Sequence, residues 1–216
     1  MTEKSSGVVD LLGVLTYAEL TGFLRMAQDA TLAPTLADCA ALSDLAAAEY
    51  AHFRLLRDHL SSLGVNPEEA MAPFTEALDA FHAQTAPGDW LEALVKAYVG
   101  TGIAGDFYRE AASRVDEKVS DLVDEVLADA DRSEFVVERV RAAIEADPKI
   151  AGRLALWARR LVGEALSQAQ QVAAQRESLA LLLTSDPDPA DIGRMFARLT
   201  EGHSKRMASL GLSATA

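Results

Sequence analysis

Glu49 and His52 stand three residues apart in the run Ala48-Glu49-Tyr50-Ala51-His52-Phe53. On a helix that spacing turns both side chains to the same side. Helical steps backward reach Leu45 and Leu42, and steps forward reach Leu56, His59 and Leu63. The pair therefore lies on the stripe that the leucines mark as inward-facing. A carboxylate and an imidazole inside a core are costly unless something satisfies them. A bound metal is one such partner, and Glu-x-x-His on bundle helices supplies ligands in carboxylate-bridged metal sites. A solvated pair is the alternative, because this spacing is common in helical chains.

Other acids fall on apolar stripes in the same way. Glu19 lies between Leu15 and Phe23, on a stripe that also holds Val8, Leu12 and Met26. A small rotation would leave Glu19 at the stripe edge. Asp106 continues the series Val95, Val99 and Ile103, with Glu110 one turn later as the alternative. Asp129 falls among Val119, Leu122, Val126 and Val136, with Arg132 three residues on. Arginine stays protonated and has no lone pair for a metal, so Arg132 is expected to pair with Asp129 or a neighbouring carboxylate. Buried acids without a cation repel one another and take up protons. Their convergence points to a metal held by Glu19, Glu49, His52, Asp106 and Asp129. An oxygen-rich set with one imidazole suits iron or manganese better than zinc.

Long helices must position these residues. The first is expected over residues 8–29, ending before Pro34, and the second over 35–63 with Gly64 behind it as a C-cap signal. Residues 65–88 are irregular, with Pro67, Pro73, Pro87 and a short helix near 74–83. Asp89 is a good N-cap for a third helix. Gly100, Gly102 and Gly105 interrupt that helix, pointing to close packing or room for a ligand. A fourth helix is expected over 115–146, with a break near Ser133 as the alternative, a fifth over 150–183, and a last over 190–210 beyond the rigid turn Asp186-Pro187-Asp188-Pro189. The expected fold is an all-α four-helix bundle in a single domain spanning 1–216. The metal-bearing core covers about 8–146, and the helices of 150–210 pack on it.

The composition agrees with helix: half of the 216 residues are hydrophobic, only 6% are aromatic, and alanine and leucine dominate. The lone Cys39 makes no intrachain disulfide and fits a reducing compartment. Residues 1–7 lack the basic-then-apolar layout of a signal peptide, and no uninterrupted apolar run approaches a bilayer span. A cytoplasmic protein without membrane contact is expected. The net charge of −13 disfavours general nucleic-acid binding. Arg153, Arg159 and Arg160, or Lys205 with Arg206, could form a local basic patch or be ordinary surface charges.

The motifs Tyr17-Ala18-Glu19-Leu20, Ala48-Glu49-Tyr50-Ala51-His52-Phe53, Gly105-Asp106-Phe107-Tyr108 and Leu127-Ala128-Asp129-Ala130-Asp131-Arg132 resemble the ferritin-like di-metal carboxylate superfamily. Within it, the chain looks most like the family of the tRNA 2-methylthio-isopentenyladenosine hydroxylase and its actinobacterial relatives. The third motif carries aspartate where that family has glutamate. The fourth carries Asp129-x-x-Arg132 in place of Glu-x-x-His. The resemblance implies an iron site, di-iron or mono-iron, with manganese as the substitute, and a hydroxylase or monooxygenase acting through dioxygen. It also names tRNA as a substrate class, which the charge opposes. A redox-inactive bundle with a degenerate site, serving a structural or interaction role, is the alternative. Homodimerisation through an apolar outer face is a further expectation.

Overall fold

A computed structural model of the chain describes residues 3–112, 114–127, 134–183 and 189–213. Among the described residues every regular element is helical: α1 Glu3–Asp29, α2 Leu36–Ser62, α3 Pro67–Met71, α4 Thr75–Gln84, α5 Trp90–Ala112, α6 Glu117–Leu127, α7 Glu134–Ala146, α8 Ile150–Gln175, α9 Glu177–Leu183 and α10 Pro189–Ser209. The expected all-helical bundle is therefore the observed architecture.

Caps set the boundaries where the sequence placed them. The Thr35 hydroxyl accepts from the Asp38 amide at 3.1 Å and opens α2. Asp89 Oδ1 accepts from the Glu92 amide at 2.9 Å and opens α5. Gly64, at φ 73°, turns the chain away after α2 in a conformation that suits glycine.

Helices α1 and α2 form the antiparallel pair on which the site rests. Leu11, Leu12 and Leu15 meet Leu56 and Leu60 in one buried cluster, closed by Phe74, by Tyr108 of α5 and by Val119, Val123 and Val126 of α6. A second cluster lies on the opposite side of α5. There Leu94, Val95, Val99 and Ile103 pack on Leu154, Trp157 and Leu161 of α8 and on Met207 and Leu210 beside them. Helix α5 is thus buried on two faces, with one cluster on each.

One expected helix is divided, and another is described only in two parts. The fourth is described as α6 and α7 on either side of residues 128–133, which with Asp129 and Arg132 lie outside the described residues. The fifth is broken at Arg176, whose φ −126° and ψ 81° leave the helical region. The break turns the Arg176 guanidinium and the Ser178 hydroxyl onto Asp10 of α1, which is 3% exposed. Burial of Asp10 needs those donors, and a straight helix is given up to provide them.

The segment Ser6–Leu32 is long and apolar enough to cross a membrane by length and composition. In this fold half of its most apolar stretch is buried inside the protein, and the buried positions of α1 include Asp10, Thr16 and Glu19.

Candidate metal centre

The register of α1 against α2 brings Glu19 opposite His52 and, one turn along, Gly22 opposite Glu49. Glu19 is 7% exposed and His52 8%. Glu19 Oε2 lies 3.3 Å from His52 Nδ1, yet this oxygen is buried without a hydrogen-bond partner. Glu49 is partly buried and reaches across to Glu19, with which it shares a hydrogen bond. The bare backbone at Gly22 lets it lie there: a Cβ at that position would be 2.9 Å from Glu49 Oε2.

Two carboxyl groups this close in a dry site cannot both ionise at ordinary pH. Burial pushes Glu19 up to about 7, partly offset by the Glu49 hydrogen bond. Glu49 is raised well above the usual carboxylate range by burial first and by the Glu19 charge and hydrogen bond next, with His52 and Thr101 opposing. Thr101 of α5 lies near enough to the Glu49 carboxyl to favour its charged form. Tyr108, one helical face-repeat further along α5, is 4% exposed, and its phenol is held protonated by burial and by the charges of Glu19 and Glu49.

Asp106 does not join them, and its expected place in the centre is corrected. Its carboxylate is 2.7 Å from Arg206 Nη1 of α10 and 3.2 Å from Arg109 Nη1. The aliphatic stripe of α5 that ends at Asp106 faces α8 and α10, while the face toward Glu49 carries Thr101 and Tyr108. The alternative acid Glu110 is also taken, by a two-pronged pair with Arg198 at 2.5 and 2.7 Å. Of the ligands expected from sequence, Glu19, Glu49 and His52 come together, Asp106 is elsewhere, and Asp129 lies outside the described residues. Thr101 was missed as a site residue, whereas Tyr108 already stood in the motif Gly105-Asp106-Phe107-Tyr108. The only signal for Thr101 was that α5 is apolar on two sides, so that the larger aliphatic stripe need not face the acids.

Other polar and aromatic side chains of these helices, and the arginines of the expected basic patch, are engaged structurally. Tyr17 donates to Asp79 at 2.9 Å, and Tyr50 stacks between Phe23 and Phe53. Arg153 pairs with Asp89 and Glu92, Arg159 donates to the Ser213 carbonyl and Arg160 to the Gln84 carbonyl, so these arginines anchor separate segments. His82 is driven down to about 3 by burial and by the nearby Lys96 and Arg25.

Residues 3–186 match the model of a family described as a ferritin-like domain of actinomycetes. The chain belongs to that family. No curated protein matches it. A solved structure from Synechococcus, a protein with aldehyde deformylating oxidase activity, superposes on this ferritin-like chain with a TM-score of 0.75, 18% sequence identity, and coverage of 99% of this chain and 94% of that one. At that identity the likeness shows the fold. These matches do not name the tRNA hydroxylases.

Whether the ferritin-like site fits metal can be judged from its donors. A two-metal centre needs acids from several bundle helices, and α5 offers a hydroxyl and a phenol instead. As the side chains stand, no group of three or more His, Cys, Asp and Glu among the described residues is gathered to hold a metal. One cation fits the donor chemistry better. Glu19, Glu49 and His52 are adjacent, one Glu19 oxygen is unpartnered, and a cation can replace the proton that the two carboxyls share.

Proposed function

We propose that this protein is a metal-binding oxidoreductase of ferritin-like fold, with a one-cation centre on Glu19, Glu49 and His52 and iron as its metal. The observation that carries the reading is the buried Glu19–Glu49 pair facing His52, with no lysine or arginine paired to either carboxylate among the described residues. When bound, iron would supply the one-electron and dioxygen chemistry that side chains lack. The chain's own residues hold the site closed. Leu15, Leu56 and Tyr108 belong to the apolar cluster beside Glu19, and Thr101 orients the Glu49 carboxyl. Manganese is the alternative metal for the same hard donors. The aldehyde deformylating oxidase activity of the similar Synechococcus protein makes an aldehyde the first substrate class to try. A tRNA substrate is second, because the net charge of −13 repels a phosphate backbone.

A metal-free bundle with a structural or interaction role is the competing reading, favoured by Thr101 and Tyr108 on the face of α5 that turns to the acids. Anaerobic titration with ferrous iron and elemental analysis separate the two. One ion per chain, lost in Glu49→Ala/His52→Ala, is expected. Two ions would restore a paired centre, and none would leave the structural reading.

A further inference from the structure

We infer that Gly22 is a positioning residue for the metal centre: its missing side chain is the slot that seats the Glu49 carboxyl between α1 and α2. The inference rests on the metal-binding reading above for its first readout only.

The constraint is steric. A Cβ on Gly22 would stand 2.9 Å from Glu49 Oε2, 3.6 Å from Cδ and 3.9 Å from Cγ. The first distance is too short for carbon against oxygen, and the other two are ordinary contacts. The clash therefore falls on the tip of one flexible side chain, and the three nearest atoms all belong to Glu49. Alanine at this position should not part the helices. It should move the carboxyl. Glycine is disfavoured against alanine at an interior helix position, so Gly22 has no local reason to be there. Gly13, on the same helix, differs: its Cβ would meet the Ala70 carbonyl oxygen at 2.2 Å, which is a clash with backbone. Gly13 serves packing, whereas Gly22 serves a functional group.

The register gives the slot its effect. Glu19 and Gly22 lie three apart on α1 and face His52 and Glu49, three apart on α2. With glycine at 22, the Glu49 carboxyl lies back against α1 and reaches Glu19 and Thr101. With a methyl group there, the same carboxyl must swing away from α1. Shortening the acid by one methylene withdraws its oxygens from the methyl, so Glu49→Asp should be harmful beside glycine and helpful beside alanine.

The test compares wild type, Gly22→Ala, Glu49→Asp and the double variant, by manganous-ion titration and by the infrared band of the protonated carboxyl in metal-free protein, assigned with Glu49→Gln. Supporting-residue changes at metal sites typically weaken binding about 10–100-fold, and Gly22→Ala is expected at the lower end with unchanged helicity. The double variant should bind more tightly than Gly22→Ala, and the carboxyl band should shift in Gly22→Ala. If wild type binds no metal, the proposed function fails, and the band shift alone still tests Gly22. If Gly22→Ala binds as wild type does and its band is unmoved, the positioning role is refuted. Equal losses in the double and the single variants, with an unmoved band, would also refute it.

Discussion

Replacing Glu19 by glutamine should flatten the pH dependence of stability of the metal-free protein. The carboxyl of Glu19 has a folded-state pKa of about 7 against an ordinary value of 4.5, chiefly because it is buried. A raised carboxyl pKa means that the native state binds more protons than the unfolded chain between those values. Stability is then highest below pH 4.5 and falls as pH rises toward and through 7. Integrating the linkage relation from about pH 5 to about pH 8 gives a loss of about 2–3 kcal/mol attributable to this one group. In a protein of this size that corresponds to roughly 5–10 °C in melting temperature. Glutamine keeps the shape and removes the proton, so Glu19→Gln should lack this part of the slope. Glu49 is also raised well above the usual carboxylate range, by burial first. Urea unfolding of chelator-treated protein, followed by circular dichroism at several pH values, measures the difference. Parallel slopes in wild type and Glu19→Gln would show that Glu19 is hydrated in solution, and the shared-proton picture would fall. A divalent ion at about 100 times its dissociation constant should add about 2.7 kcal/mol at about pH 8, and far less to Glu19→Gln.

The other expectations concern placement. Asp106→Ala should leave the metal stoichiometry unchanged, because Asp106 faces Arg206, while unfolding becomes easier by about 3 kcal/mol as a mostly buried arginine loses its partner. Elemental analysis beside urea titration reads both. Gly102→Ala would put a Cβ 2.4 Å from Arg206 Cδ. It should loosen α10, seen as faster proteolysis within 189–209. Asp10→Ala should cost roughly 2 kcal/mol, below the range for a fully buried pair because Arg176 is about a third exposed, and hydrogen exchange should rise selectively in α9.

Much of this molecule was legible in the sequence, and the failures share one cause. Thr35, Asp89 and Gly64 mark helix ends by local chemistry, and they mark them correctly. Glu19, Glu49 and His52 were readable because α1 and α2 each have a single apolar stripe, which fixes what faces inward. Helix α5 has two. Val95, Val99, Ile103 and Asp106 form a better periodic series than Ala97, Thr101 and Tyr108, and nothing local says which one looks at α1. That choice is made by α8 and α10, tens of residues away. The kink at Arg176 was hidden for a similar reason, since its benefit lies at Asp10, 166 residues earlier.

The clasp between α5 and α10 has a consequence for biosynthesis. Gly102 makes room for the Arg206 stem and Gly202 for the Asp106 carboxylate, so each helix is notched to receive the other. A chain leaves the ribosome amino end first, and α10 therefore emerges after every element it covers. Until it arrives, the aliphatic flank of α5 around Val99 and Ile103 lacks Met207 and Leu210, and Asp106 lacks its main counterion. Nascent or prematurely terminated chains would display a sticky flank with a charged socket in it, a surface for chaperones and proteases to recognise. The notches make the arrival of α10 the event that conceals it.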